Sequence, residues 1–253
     1  MTEFTVIIPC YNEQSRLDSA EFARLARQPG AHVLFVDDGS TDATAPTLEA
    51  ICAAAPQTAR LLRLPRNQGK AEAVRLGLLQ AMAEGAELVG FLDADLSTPV
   101  DEMLRLVATL SQRPQVEVLL ASRVRLLGNT VERKLIRHYL GRIFATAASV
   151  VLALDVYDTQ CGAKILRVTP QLRAALSQPF VSKWIFDVEL IGRLLYGSRE
   201  QPGIGAAAFA EMPLHTWRDV AGSKLQARHM LAAVGDLVLI HQQLQQKRRQ
   251  LAT

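Results

Sequence analysis

The sequence predicts an α/β protein: a doubly wound, mostly parallel sheet with a C-terminal helical elaboration. Three observations predict it. Strand-like runs alternate with helical patterns through the first half of the chain. Several of these runs are apolar throughout, as strands covered on both faces must be. The residues that follow them are unusually polar, as expected at the carboxyl edge of an open parallel sheet, where ligands bind.

The elements follow in order. Phe4 to Ile8 reads as the first strand and Pro9 as its breaker, and Arg16 to Arg27 as the first helix. His32 to Val36 and Arg60 to Leu64 are strands on either side of a helix at Thr44 to Ala55. Lys70 to Glu84 is helical, with Gly85 where a left-handed terminating residue is expected. Glu87 to Leu92 is a very apolar strand. Val100 to Leu110 is a helix with Thr98 as its cap, Pro99 in its first turn and Met103, Leu104, Leu106, Val107 and Leu110 on its inward stripe. Val116 to Ala121 is the next strand. Beyond it the pattern loosens. Val131 to Leu154 reads as one helix with a basic beginning and an apolar end, Ala163 to Arg167 as a strand, Trp184 to Tyr196 as a helix, and Leu225 to Arg249 as a long final helix. With no repeat or low-complexity linker, one domain over 1–253 is the simplest division, regular over 1–122 and looser over 123–253.

Composition narrows the class. With 253 residues, 49% hydrophobic and 21% charged, the chain is neither disordered nor a disulfide-stapled miniature. Any metal must therefore serve chemistry. Cys10, Cys52 and Cys161 are odd in number and widely spaced, which indicates neither a disulfide framework nor a zinc site and suggests a reducing, cytoplasmic compartment. The start of the chain enters a strand pattern without the features of a signal peptide. The longest apolar stretch, Ile143 to Leu154, has 12 residues, short of the about 20 that span a bilayer. The net charge of +3 is uninformative, but its distribution is not. Arg123, Arg125, Arg133, Lys134, Arg137 and Arg142 crowd one segment against the single acid Glu132. That patch carries no readout motif, so nucleic acid is not the expected partner.

Four polar clusters terminate the first strands: Pro9-Cys10-Tyr11-Asn12-Glu13, Asp37-Asp38-Gly39-Ser40-Thr41-Asp42, Asn67-Gln68-Gly69-Lys70 and Asp93-Ala94-Asp95. One such turn is commonly a cap or a solvated loop; four at one edge call for a ligand. Asp93 and Asp95 close a buried strand with no basic residue near them in sequence, so the pair would repel unless a cation relieved it. Mg²⁺ accepts one or two carboxylates plus phosphate oxygens. The bland alternative makes Asp95 and Ser97 a helix-start turn. P-loop and G-x-G-x-x-G fingerprints are missing after the first strand, and Gly203-Ile204-Gly205 reads as a loop.

Together these motifs resemble the family 2 glycosyltransferases of the GT-A fold. Ala121-Ser122-Arg123, Arg133, Arg137, Asp158-Thr159-Gln160-Cys161-Gly162-Ala163-Lys164, Trp184 to Leu190, and Trp217 followed by Gly222-Ser223-Lys224-Leu225 extend the resemblance to the dolichyl-phosphate β-glucosyltransferase branch. Ala163 stands where that branch has Phe.

The resemblance implies that Pro9, Tyr11, Glu13 and Asp37 cradle the nucleoside of a sugar nucleotide, with Asp38 and Gly39 beside them and UDP-glucose as donor. Asp93 and Asp95, flanking Ala94, would hold Mg²⁺ or Mn²⁺ on the diphosphate. Lys70, Lys224 and Arg123 would add positive charge. For a polyprenyl (dolichyl or undecaprenyl) phosphate acceptor, Arg123, Arg133 and Arg137 would grip the phosphate, and Gln160, Trp184, Asp187 and Trp217 would line its site. Arg133 and Arg137 are four residues apart, on one face of the expected helix. A phosphomonoester with a second pKa of about 6 needs no general base; a hydroxyl acceptor would, and Asp158 or Asp187 would then supply it. Under the lipid reading Asp158 positions sugar or acceptor, and transfer inverts the anomeric carbon.

The apolar stretch from Leu135 to Val156 either lies in the membrane interface or packs on the sheet as core. Peripheral association with the inner face of the membrane is the expectation; oligomeric state is left open. Two alternatives remain: the same fold acting on a soluble hydroxyl acceptor in polysaccharide synthesis, and a sugar-nucleotide-binding protein without turnover.

Overall fold

A computed structural model describes residues 2–132, 135–220 and 227–251, with the backbone alone at 132, 135–140, 227–232 and 250–251. The elements are β1 (Phe4–Cys10), α1 (Ser19–Ala26), β2 (Ala31–Asp37), α2 (Thr44–Ala54), β3 (Ala59–Arg63), α3 (Lys70–Ala83), β4 (Leu88–Leu92), α4 (Val100–Ser111), β5 (Val118–Ser122), β6 (Thr130–Glu132), α5 (Leu135–Leu152), β7 (Ala163–Arg167), α6 (Pro170–Leu176), α7 (Phe186–Tyr196), β8 (Phe209–Pro213), β9 (Thr216–Arg218) and α8 (Ala227–Leu251).

Seven strands form one sheet in the order β3-β2-β1-β4-β7-β5-β8, with β6 and β9 paired separately. β1, β2, β3 and β4 are parallel, β7 runs antiparallel to both neighbours, and β8 is parallel to β5. The sheet is thus the mostly parallel, doubly wound one expected. Its apolar strands are explained by two layers of cover: α1, α2 and α4 pack on one face around Phe22, Leu48 and Met103, while α3 and α5 to α8 pack on the other around Leu78, Leu152, Phe186 and Ile240. In β1, Val6 and Ile8 point into the first layer and Ile7 into the second. Among the described residues no helix is long and apolar enough to cross a membrane.

Three local expectations change or hold. Gly85 does take the left-handed conformation after α3, at φ +91°. Thr98 does not cap α4: Pro99 occupies the N-cap with extended backbone, and the Thr98 side chain is buried with its hydroxyl 3.9 Å from the Cys161 sulfur. Nor is Val131 to Leu154 a single helix. Val131 lies in β6 opposite Trp217 of β9, and the helix runs over Leu135–Leu152. Leu152 and Ala148 of α5 are fully buried, so one face of this helix is core, whereas Ile143 and Val150 are exposed.

Candidate active site

The strand order places the site. Strands added from β1 go one way to β2 and β3 and the other way to β4, so a crevice opens between the carboxyl ends of β1 and β4. Residues 9–13 follow β1, 37–42 follow β2 and 93–95 follow β4 at this edge. Because β7 is antiparallel and Ala163 pairs with Leu92, the segment 158–162 enters at the same edge. Arg123 follows β5 there as well.

Beside the crevice a cavity of about 480 Å³ is lined by Asp37, Gly39, Ser40, Thr41, Arg63, Leu64 and Pro65. Asp37 is buried and accepts the Ser40 N–H at 3.0 Å. Asn12, at φ +50°, accepts the Thr41 N–H at 2.8 Å and ties the end of β1 to this loop. Pro9 lies in β1 opposite Val36, and Tyr11 is half-buried just beyond. Asp38 faces inward: its two oxygens accept the N–H groups of Gln68 and Gly69 at 2.7 and 2.8 Å, fixing the turn that leads into α3. Burial pushes the Asp38 carboxyl above its ordinary value, against those two donors.

Glu13 is buried and meets Arg16 at 2.5 Å. Arg16 reaches on to Asp95 at 3.7 Å. Lys70, the first residue of α3, meets Asp93 at 2.5 Å. Burial pulls the Lys70 ammonium down, but Asp93, Asp187 and Asp95 carry it above its ordinary value overall. The two carboxylates that stand apart from any base in sequence are therefore each met by a cation from another element. Ala94 between them is buried. Asp95 also accepts the Ser97 N–H at 3.0 Å, so the helix-start turn and the candidate ligand are the same residue.

Gly162 explains how Asp93 fits. Its carbonyl accepts the Asp93 N–H at 3.0 Å, and a Cβ on it would lie 2.1 Å from the Asp93 carboxylate. Lys164 follows, fully buried, with Nζ 2.5 Å from Asp187 and donating to the Cys161 carbonyl at 2.8 Å. Asp187 thus secures the 161–164 turn from α7. Burial pushes the Cys161 thiol up to about 11, which keeps it protonated and unsuited to nucleophilic work.

On the far side of the crevice Arg123 donates through Nε and Nη2 to the two oxygens of Asp158 at 2.7 and 2.8 Å. Asp158 also accepts the backbone N–H groups of Arg123 and Gln160 at 3.1 Å each. Burial opposes the Arg123 charge, and Asp158 more than restores it. The Arg123 guanidinium lies 5.4 Å from the Trp217 ring. Trp217 is held by β9, whose entry is fixed by buried Glu102 accepting the N–H groups of His215 and Thr216, and the Arg218 N–H reaches Ser97 at 3.1 Å. Glu211 on β8 accepts the N–H groups of Tyr157 and Asp158, which sets Asp158 in place.

The structure therefore brings together Asp37, Glu13, Lys70, Asp93, Asp95, Arg123, Asp158, Gln160 and Trp217 at one edge. Trp184 is different: it packs against the core of the opposite face from Trp217. Arg137 falls in the first turn of α5, while Arg133 and Lys224 lie outside the described residues. Sequence reasoning missed Arg16, Arg63 and Lys183, whose side chain lies 3.3 Å from where a Cβ on Gly69 would be. Arg63 could have been found as the last residue of a strand at the ligand edge; Arg16 and Lys183 carry no such signal.

Among the described residues no group of three or more His, Cys, Asp and Glu side chains could hold a metal ion. Asp93 and Asp95 remain partly exposed, at 28% and 23% of their side chains, and offer oxygen donors only. Two such carboxylates completed by diphosphate oxygens suit Mg²⁺ or Mn²⁺.

Residues 5–170 match the family described as Glycosyl transferase family 2. The chain belongs to this family. A dolichyl-phosphate beta-glucosyltransferase of Trichomonas vaginalis is 30% identical over 249 residues, 93% of this chain and 70% of the relative. One from Saccharomyces cerevisiae is 28% identical over 93% of this chain and 73% of its own length. This family 2 glycosyltransferase falls on the branch that holds those enzymes, as its second set of motifs implies. Its fold is similar to a crystal structure of Mycobacterium tuberculosis glucosyl-3-phosphoglycerate synthase in complex with Mn²⁺ and UDP-glucose. There the TM-score is 0.68 at 19% identity, with 95% of this chain and 79% of that one covered. The expected GT-A architecture is thus the observed one.

Proposed function

We propose that this glycosyltransferase moves glucose from UDP-glucose to a polyprenyl phosphate, dolichyl or undecaprenyl, at the cytoplasmic face of the membrane, with inversion at the anomeric carbon. One observation carries the acceptor assignment: both carboxylates that could have served as a general base are committed to cations. Asp158 is bound by Arg123 and Asp187 by Lys164. A hydroxyl acceptor needs a base; a phosphate dianion does not. The names borne by the relatives point the same way.

In this reading the cavity at Asp37, Ser40, Thr41 and Arg63 takes the nucleoside, with Asp37 accepting from the base. Lys70, at the positive end of α3, faces the diphosphate. Asp93 and Asp95 hold the divalent ion, which when bound supplies Lewis-acid stabilisation of the leaving nucleoside diphosphate. Arg123, oriented by Asp158 and Trp217, presents its remaining donors to the acceptor phosphate. A phosphate oxygen attacks the anomeric carbon from the face opposite the leaving group. The new C–O bond forms as the old one breaks, its electron pair leaves with the diphosphate, and an α-linked donor gives a β-linked product. Arg133, Arg137 and Lys224 complete the charge around the two phosphates.

The test is transfer from a panel of labelled sugar nucleotides with Mn²⁺, with and without polyprenyl phosphate. The expected result is a product from UDP-glucose that extracts into organic solvent with the lipid and is lost in Asp95→Ala. Nucleotide release indifferent to the lipid would move the acceptor to a hydroxyl.

A further inference from the structure

The segment 123–129, which joins β5 to β6, ends in a closed turn anchored to a neighbouring segment. The Asn129 N–H donates to the Leu126 carbonyl at 3.1 Å, closing a four-residue turn. Gly128, third in the turn, stands at φ +88°, the left-handed conformation that a type II turn requires at that position. Its base is pinned where the Asn129 side-chain amide donates to the Leu214 carbonyl at 2.9 Å. What this turn displays is apolar. Leu126 is 50% exposed and Leu127 is 105% exposed, as open as a residue with no protein around it. Turn tips ordinarily carry polar residues, whereas this one leaves Leu127 wholly and Leu126 half open to solvent. Beside them Arg125 is exposed, and two residues before it Arg123 is locked to Asp158 at the candidate acceptor site.

Adjacent leucines with a cation at their flank match the boundary of an anionic bilayer, where apolar side chains enter the acyl region and basic ones meet headgroups. We infer that the Leu126–Leu127 turn is a membrane-docking element: it inserts its two leucines into an anionic bilayer, Arg125 engages the headgroups, and Arg123 is thereby held at the depth of lipid phosphates. The inference deepens the polyprenyl-phosphate reading and rests on it for what docking achieves.

The experiment compares the full chain with Leu126→Ser/Leu127→Ser and with Arg125→Gln. It measures co-sedimentation with phosphatidylcholine vesicles with and without phosphatidylglycerol, with melting temperature as the fold check. The double variant should melt within a few degrees of the parent, since Leu127 is fully exposed and Leu126 half exposed, and should lose at least about tenfold in vesicle partitioning, as expected for two leucines withdrawn from an apolar phase. Arg125→Gln should lose partitioning only on the anionic vesicles. Transfer to vesicle-borne polyprenyl phosphate should fall with partitioning in the double variant, while transfer to a short-chain, water-soluble polyprenyl phosphate stays at the parent level. Equal partitioning of parent and double variant overturns the proposal. So does a parent dimer that the double variant dissolves into monomers without any change on vesicles, which would make a second copy the occupant. If partitioning depends on the leucines but neither acceptor receives sugar, the docking element stands and the acceptor reading falls.

Discussion

The two sides of the crevice, one proposed here for the donor and the other for the acceptor, use charge in opposite ways. At the donor edge Asp93, Asp95 and Lys70 stay partly exposed, and the cations that meet the carboxylates come from neighbouring loops and helix starts. Such groups can exchange their present partners for a ligand. At the acceptor edge charges are paired in the interior: Lys164 with Asp187 and Glu189 with Arg193 around α7, and Arg123 with Asp158 at the end of β5. Desolvation makes a buried pair a poor source of stability but costly to break from one side, so these pairs fix geometry. The lesson is that a carboxylate in a family motif can stand open to a ligand on one side of the crevice and serve as a strut on the other.

This contrast can be broken by experiment. The largest effect is expected from Lys164→Met, which leaves Asp187 buried without its ammonium and should cost about 3–5 kcal/mol in urea unfolding. The double variant Lys164→Met/Asp187→Leu should recover most of that stability, and if it does not, the pair is more than a strut. Next, Asp95→Ala should lower transfer by about 10²–10³-fold with little change in unfolding free energy, since its side chain is partly exposed. A comparable loss of stability would erase the distinction between the two edges. Gly162→Ala joins them: its methyl would displace the Asp93 carboxylate, and a misplacement of this size should reduce turnover about a hundredfold, together with weaker Mn²⁺ retention in the presence of UDP. Arg123→Lys keeps the charge but loses the bidentate fork to Asp158. It should raise the acceptor KM about tenfold and leave donor KM in place. The smallest effect belongs to Arg63→Ala at the cavity rim, a rise of a few-fold in donor KM, as expected for one solvent-screened charge. A larger change would make Arg63 a principal nucleotide contact.

The first half of the candidate site was legible because parallel strands end where ligands bind, so reading the residues after each strand picks out Glu13, Asp37 and Asp93, which the structure places at one edge. The misreadings have physical causes. Thr98 has the chemistry of a cap, but Pro99 took the N-cap and the Thr98 side chain went into the core beside Cys161. The residues before Leu135 carry no signal against helix; only the edge of β9 draws Val131 into a strand. Trp184 and Trp217 look alike as candidate acceptor contacts, yet they pack on opposite faces of the sheet.

By itself the sequence determined the family, the doubly wound sheet and the edge that carries the candidate site, because apolar periodicity and polar strand ends are local properties written within a few residues of each other. Only the tertiary structure decided which charges meet. Lys70 is 23 positions from Asp93, Arg123 is 35 from Asp158 and Lys164 is 23 from Asp187. Pairing over such distances is set by the strand order and by the antiparallel insertion of β7, which no local pattern encodes. The turn that displays Leu126 and Leu127 is of the same kind: two leucines in sequence are ordinary core, and it is the closed turn at Gly128 and its anchor on Leu214 that leave them facing outward.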